Sequence, residues 1–403
     1  MKFMKMLKAN YIQKNDTKKN IIKNTAILIT AGGTGGHFFP ALALAEELAN
    51  KKGLDIHVST DNRCKKYLAD NFFPKYNTEK ITSSSLFYHV INLYINLTGV
   101  LNRLKVPFSI FIALIKSLLL INRIKPSVII GFGGYPSFPV MFIGQLLGIP
   151  TIIYEQNAFL GKTNKFFAKK AVLIALAYQD TKNLPQDLSQ DFVDKVDKFL
   201  VVGDVTRKNI MTLPPKENFD DESFTLLVIG GSQGAKIFSV LIPESIKILT
   251  KNYPEIKINI IQQVKTDDQA DVRNIYNKLG ITNIISDFFH DIHQHYQKSQ
   301  LVIARSGAST IAELTQIGLP AIFIPLPASA DDHQYQNAKF LQDIGASWVY
   351  RQSEITPVVL ADKLYDLIRD RSKLKIASQN LLKRKTNGTR HLANTVLKII
   401  SYL

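Results

Sequence analysis

The chain has 403 residues, of which 46% are hydrophobic and 10% aromatic, so it is no disordered protein and is too long for one ordinary core; two domains of roughly 150–200 residues are expected. A net charge of +17 calls for an anionic partner, whether nucleic acid, an anionic membrane or a phosphorylated substrate. The single cysteine, Cys64, excludes intrachain disulfides and multi-cysteine zinc sites, fits a reducing cytoplasm, and reads as incidental rather than nucleophilic.

Residues 1–24 are Lys-rich and lack the apolar core of a secretion signal, which marks a basic extension. Thr25–Thr30 is a short apolar strand ending in Ala31-Gly32-Gly33-Thr34-Gly35-Gly36-His37, and a helix pattern follows with Pro40 near its first turn. Ile56–Ser59 is the next strand. No transmembrane helix is expected, because the most apolar stretch, Phe108–Ile121, is short for a span and carries Lys116. Ser127–Ile130 ends in Gly131-Phe132-Gly133-Gly134-Tyr135-Pro136, and Thr151–Tyr154 ends in Glu155-Gln156-Asn157. Short β-branched strands alternating with helices predict α/β domains with parallel sheets covered on both faces.

The rhythm restarts around Phe199–Arg207, with a boundary expected near Asp204–Pro215. Phe224–Ile229 leads into Gly230-Gly231-Ser232-Gln233-Gly234-Ala235 and a helix. Lys257–Ile261, Leu301–Ala304 and Ala321–Ile324 are further strands, Ser306–Gly318 is a helix opened by a Ser cap, and about Leu381–Leu403 is helical and basic.

A strand, a glycine loop and a helix thus open each half. Glycine lets backbone amides approach a phosphate, and the helix adds about half a positive charge at its N-terminus. Neither loop is a Walker A motif, and neither spells Gly-x-Gly-x-x-Gly cleanly. Asp61, after the second strand, stands where a ribose-binding acid would lie and keeps a nicotinamide enzyme open; each loop is otherwise a tight turn. His37 is either a structural or phosphate-contacting histidine, or a general base.

Gly32 to Pro40, Gly133-Gly134-Tyr135-Pro136-Ser137, Glu155-Gln156-Asn157, Gly230 to Ala235, Arg305-Ser306-Gly307-Ala308, Asp332-His333-Gln334 and Asn337-Ala338 occur in that order. Together they resemble the MurG family, which transfers N-acetylglucosamine to undecaprenyl-pyrophosphoryl-muramoyl-pentapeptide (lipid I) to make lipid II. The likeness spans about residues 25–400. It implies a GT-B fold, two Rossmann-like parallel-sheet domains facing across a cleft. The implied division is an acceptor and membrane-associating domain over 25–205, a UDP-N-acetylglucosamine domain over 206–380, and a helix of about 381–403 packing back on the first.

The resemblance further implies roles residue by residue. Phe289 matches the position whose backbone meets uracil, Glu313 the acid on the ribose hydroxyls, Ser232 and Gln233 the loop near the diphosphate, Arg207 a basic residue near the donor phosphates, and His333 and Gln334 the sugar contacts. Thr34, Gly35, Gly36, His37, Tyr135, Glu155 and Asn157 match residues near the acceptor and the reacting carbon. His37 is the expected base and Glu155 its rival, in a single inverting displacement with no cofactor and no metal. Asp331-Asp332 is assigned to the sugar-site loop. The implied partners are UDP-N-acetylglucosamine, lipid I, an anionic membrane surface and cell-wall synthesis proteins, not nucleic acid, with the enzyme peripheral on the cytoplasmic face of the cell membrane. The segment Phe87–Ile124, with Arg103, Lys105, Lys116 and Arg123, holds more apolar residues than one buried face needs, so Phe87, Tyr94 or Phe108 is expected to enter the membrane interface.

Two positions depart from the family pattern. Gly203-Asp204-Val205-Thr206-Arg207 replaces Gly-Asn-Pro-Val-Arg, and Gln262-Gln263 replaces a His-Gln pair, for which no role is assigned. Another GT-B lipid glycosyltransferase or a UDP-sugar epimerase is the nearest alternative. A nucleic-acid-binding protein is suggested by charge alone, without the usual recognition motifs.

Overall fold

The computed structural model describes residues 25–65, 85–91, 100–185, 198–231, 234–327, 329 and 332–403, with only the backbone of 65, 85 and 100–105. The basic extension, Tyr94, Ser232, Gln233 and Asp331 lie outside the described residues, as do the side chains of Arg103 and Lys105. The chain divides into two compact units, one running up to Val205 and including Asn387–Leu403, the other Thr206–Thr386.

The first unit is built on strands β1 (Thr25–Thr30), β2 (Leu54–Thr60), β3 (Ser85–Val90), β4 (Val128–Gly131), β5 (Thr151–Glu155), β6 (Leu173–Leu176) and β7 (Phe199–Val201). They lie in the order β3-β2-β1-β4-β5-β6-β7, all pairs parallel. Its helices are α1 (Gly35–Ala49), α2 (Asn62–Lys65), α3 (Val100–Ile124), α4 (Phe138–Leu147) and α5 (Lys162–Ala168). The central strands β4, β5 and β6 are buried at every residue, as uniformly apolar parallel strands require. Leu28, Ile129, Ile153 and Ile174 form one core with Val140, Ile143 and Leu147 of α4. The last helix, Gly388–Tyr402, packs on α1.

α1 begins at Gly35, earlier than Pro40 suggested, so Gly35 and Gly36 form its first turn and Pro40 lies inside it. α3 is also longer than expected. Over Val106–Ile124 it is long and apolar enough to cross a bilayer by length and composition, because the helix runs on past the apolar stretch at both ends. One side, with Ala113 and Ile121, packs into the core beside α4, while Phe108, Phe111, Ile115 and Leu119 stay exposed. Strands β3 and β6 carried no clear signal. β3 is an edge strand mixing Ser85, Tyr88 and His89 with apolar residues, and β6 is flanked by alanines that also suit a helix.

The second unit contains α6 (Lys208–Met211), β8 (Phe224–Ile229), α7 (Phe238–Asn252), β9 (Ile258–Gln263), α8 (Gln269–Lys278), β10 (Asn283–Ser286), α9 (Ile292–Lys298), β11 (Leu301–Ala304), α10 (Ala308–Ile317), β12 (Ala321–Phe323), α11 (His333–Asp343), β13 (Ser347–Val349), α12 (Pro357–Arg369) and α13 (Ser372–Leu382). The sheet order is β10-β9-β8-β11-β12-β13, again all parallel. The Ser cap expected for α10 does not form. Gly307 is the N-cap, and Ser306 is fully buried with its Oγ unpartnered. The closing segment is two helices: Leu381, on α13, packs in the second unit, and the chain rejoins the first at Asn387.

In each sheet the strand order reverses once, between β1 and β4 and between β8 and β11. Such a switch point opens a crevice beyond the carboxyl ends of the strands, where ligands of open α/β sheets bind. Both glycine loops follow the strands at these reversals.

Candidate active site

In the first unit the loops after β1 and β4 interlock. Gly134 has φ +74°, and a Cβ there would meet the Gly32 carbonyl oxygen at 2.6 Å, so only glycine allows both the conformation and the approach. A Cβ at this position would also lie 3.6 Å from His37 Nδ1, which puts the imidazole beside this crossing. Thr34 is the N-cap of α1, and its Oγ1 lies 3.3 Å from His37 Nδ1. Tyr135 follows Gly134 directly, with the Arg63 guanidinium 4.7 Å from its ring centre. Burial raises the Tyr135 phenol above its ordinary pKa.

Asp61, the acid that kept the nicotinamide alternative open, is engaged within this loop system. It accepts from the Gly33 N–H at 3.4 Å and from Arg63 Nε and Nη2 at 2.8 and 2.5 Å. Arg63 therefore ties the first glycine loop to Tyr135. Cys64 is fully buried, and burial pushes its thiol up to about 11, which leaves it unreactive at neutral pH.

Glu155 is only 1% exposed. Its Oε1 accepts from the backbone and side-chain amides of Asn157 at 3.0 and 2.8 Å, and its Oε2 from the Gly161 N–H at 3.0 Å and Asn164 Nδ2 at 2.8 Å. Burial raises its pKa against the opposing pull of these bonds. With both oxygens engaged this way, Glu155 holds the 155–164 loop together. Asn164 also lies against Gly133, so the anchored loop abuts the one carrying Tyr135. The Gly203–Val205 segment is held by Tyr154, whose hydroxyl donates to the Gly203 carbonyl at 3.1 Å and accepts from the Val205 N–H at 3.0 Å.

In the second unit Arg207, the N-cap of α6, is paired with Glu313 on α10. Nε donates to Oε1 at 2.9 Å, Nη2 lies 2.6 Å from the same oxygen, and both side chains are buried. The Tyr296 hydroxyl donates to Glu313 Oε2 at 3.0 Å. The two arginine N–H groups fill Oε1 and Tyr296 takes one of the two sites on Oε2, so this cradle orients Glu313 and leaves one acceptor site. No motif in the sequence pointed to Tyr296.

Gly230 is required sterically, because a Cβ there would lie 2.3 Å from the Ala235 nitrogen. Its N–H donates to Gln263 Oε1 at 3.0 Å, while Gln263 Nε2 donates to the carbonyls of Gly231 and Asp287 at 3.2 and 2.9 Å. Phe289 is buried with its ring edge against His295. At the start of α11, Gln334 Oε1 accepts from the Leu326 N–H at 3.0 Å and His333 is half-buried. Asp332, the N-cap, has φ +52° and pairs with Arg351 at 3.0 Å. Arg305 donates to the carbonyls of Ile324 and Pro325, shaping the same loop from the end of β11.

The profile of the glycosyltransferase family 28 N-terminal domain matches residues 27–175, and that of the family 28 C-terminal domain matches residues 225–396. A UDP-N-acetylglucosamine–N-acetylmuramyl-(pentapeptide) pyrophosphoryl-undecaprenol N-acetylglucosamine transferase from Rickettsia canadensis is 46% identical over 377 residues, 93% of this chain and 99% of that protein. The protein of the same name from Rickettsia felis is 46% identical over 383 residues, with the same coverage. The crystal structure of Acinetobacter baumannii MurG superposes with a TM-score of 0.69 at 28% identity, covering 93% of this chain and 99% of that one. A UDP-N-acetylglucosamine 2-epimerase superposes with a TM-score of 0.62 at 14% identity, a likeness of fold alone.

Two parallel-sheet units with a glycine loop at each switch point define a glycosyltransferase of the GT-B type. The chain belongs to glycosyltransferase family 28 and, within it, to the MurG family.

Proposed function

We propose that the chain transfers N-acetylglucosamine from UDP-N-acetylglucosamine to the C4 hydroxyl of the muramoyl sugar of lipid I, forming lipid II for peptidoglycan synthesis. The observation that carries this is the match to named transferases over 93% of the chain at 46% identity. The second unit takes the donor. The loop after β8, with Ser232 and Gln233, is assigned to the diphosphate, the backbone at Phe289 to uracil, and Glu313 to the ribose hydroxyls. Arg207 stands near the phosphates, and His333 and Gln334 meet the sugar.

The first unit takes the acceptor. The His37 and Phe38 amides turn back on the Thr34 carbonyl, at 3.3 and 3.2 Å, which leaves the amides of Gly35 and Gly36 for an anion at the start of α1. In the step itself the acceptor oxygen bonds to the anomeric carbon with inversion, the bond from that carbon to the UDP oxygen breaks, and the hydroxyl proton passes to His37. In the tautomer that carries Nδ1–H toward Thr34 Oγ1, Nε2 is the basic nitrogen. Arg207 and the helix N-termini stabilise the departing UDP. Tyr135 and Asn157 line the acceptor side, and Glu155 positions Asn157 through the loop it anchors.

A lipid-linked acceptor requires membrane contact. Phe108, Phe111, Ile115 and Leu119 recur at helical spacing on the exposed side of α3, flanked by exposed Lys116 and Arg123, and Phe87 is exposed on β3. Exposed Phe166 on α5 stands among exposed Lys162, Lys165, Lys169 and Lys170. These aromatic and basic surfaces suit peripheral binding to an anionic leaflet on the cytoplasmic face, where cell-wall synthesis proteins would be its partners.

The decisive assay is transfer of labelled N-acetylglucosamine to lipid I, with UDP-glucose and UDP-galactose as competitors. Label should appear in lipid II and be poorly displaced by either competitor. No transfer to lipid I by active-site-intact protein would sink the proposal. For the membrane surface, vesicle flotation should favour anionic lipid and weaken when Phe108 and Phe111 become Ser; indifference to lipid charge would count against it.

A further inference from the structure

We propose that Gln263 is a positioning residue that couples the diphosphate loop of the second unit to its base-binding loop, so that the two ends of UDP are bound by one preset template. This rests on the reading of the second unit as the UDP-sugar half.

Gln263 is the last residue of β9, beside β8 and β10 in the sheet. Its side chain makes three hydrogen bonds to backbone groups of two separate loops. Oε1 accepts from Gly230 N–H, one Nε2 hydrogen reaches the Gly231 carbonyl, and the other reaches the Asp287 carbonyl. The first two groups open the glycine loop after β8. The third precedes Phe288 and Phe289 after β10. The amide orientation is determined by its partners, because an N–H faces the oxygen and two carbonyls face the nitrogen.

The chemistry demands a residue of this type. One acceptor and two donors on one planar group exist only in a carboxamide. Glu has no donor when ionised, Lys and Arg have no acceptor, and Asn is one methylene shorter. Gly230 and Gly231 have no side chains, so the loop's position depends on backbone contacts of this kind. The neighbouring Gln262 is a useful contrast. It is fully buried, donates to the Phe238 carbonyl at 2.9 Å and accepts from the Tyr276 hydroxyl at 2.5 Å, so its amide serves the core and α7.

A template set at both ends binds a ligand spanning both better than its parts predict, because the loops are ordered before the ligand arrives. The test compares UDP with uridine, which has no phosphate and reaches only the base and ribose end. Calorimetric Kd values for both are measured on wild type, Gln263→Met and Gln262→Met, with melting temperatures and the KM of donor and acceptor.

Gln263→Met removes all three hydrogen bonds, two of them to the glycine loop, and should weaken UDP about tenfold and uridine much less. The donor KM should rise in parallel with the acceptor KM unchanged, and melting should fall modestly because the buried Gly230 N–H loses its acceptor. Gln262→Met should lower melting without selectively weakening UDP. Unchanged UDP affinity in Gln263→Met, equal losses for UDP and uridine, or a matching rise in acceptor KM would each overturn the coupling. Wild type that binds no UDP would overturn the donor assignment itself, an outcome visible before any variant is made.

Discussion

Arg207 Nη2 lies 2.6 Å from Glu313 Oε1, and the two residues, 106 positions apart in sequence, are both buried. Removing one member of such a pair leaves the other charged in a poor solvent, which costs about 3–5 kcal/mol. Glu313→Ala should therefore destabilise the second unit by about that amount and abolish tight UDP binding. Arg207→Met combined with Glu313→Leu should recover much of the stability but none of the UDP affinity. Urea unfolding and UDP calorimetry on the single and double variants separate the two effects; a double variant that binds UDP normally would make the pair purely structural.

His37→Ala should lower kcat about 10²–10⁴-fold, the usual contribution of a positioned acid or base, with the donor KM changed little. Steady-state kinetics with saturating lipid I provide the measurement. Turnover near the wild-type level would remove His37 from the catalytic step.

Glu155 leads to a different kinetic pattern. In Glu155→Gln one oxygen becomes an amide whose hydrogens oppose the N–H donors of Asn157 or of Gly161 and Asn164, leaving buried donors unmatched at about 1–3 kcal/mol. The expected result is a raised KM for lipid I and a lower melting temperature, with a kcat loss far smaller than that of His37→Ala. A kcat loss equal to that of His37→Ala, with the lipid I KM unchanged, would restore Glu155 as the base.

His57 and His89 face each other on β2 and β3, Nδ1 to Nε2 at 3.0 Å. Burial, then His89 and then Arg123, lower the His57 pKa to about 4. Between that value and the unfolded value of about 6.5, the unfolded chain binds more protons, so stability is full above pH 6.5 and falls as pH drops through this window. The slope for one proton is at most about 1.4 kcal/mol per pH unit. Urea midpoints measured from pH 7.5 to 4.5 should fall more steeply for wild type than for His57→Asn; parallel curves would show that this pair does not titrate as described.

Much of the fold was legible because parallel strands buried on both faces read as short apolar runs, and Phe224–Ile229 and Leu301–Ala304 match the observed strands residue for residue. β10 and β13 were not legible. β10 leaves Ile284 exposed and β13 is three residues long, so each becomes a strand through the neighbour it pairs with. The same holds for the ends of helices. Gly35 and Gly36 read as loop, yet they form the first turn of α1, whereas Ser306 read as a cap and is buried without one.

By itself the sequence determined the α/β class, the doubled arrangement of strand, glycine loop and helix, and the identity of the residue types that can serve a phosphate or a proton. These follow from local periodicity and from what glycine, imidazole and carboxylate can do chemically. Only the tertiary structure decided how the polar side chains are committed. Glu155 became a loop anchor, Asp61 and Arg63 a brace on the first glycine loop, Glu313 a member of a buried cradle, and Gln263 a link between two loops. A hydrogen bond depends on distances of about 3 Å between groups that chain order leaves far apart, and packing within each unit sets those distances. The two glycine loops show both halves of this lesson: their sequences are alike, but one is braced by Tyr135, Asp61 and Arg63, the other by Gln263.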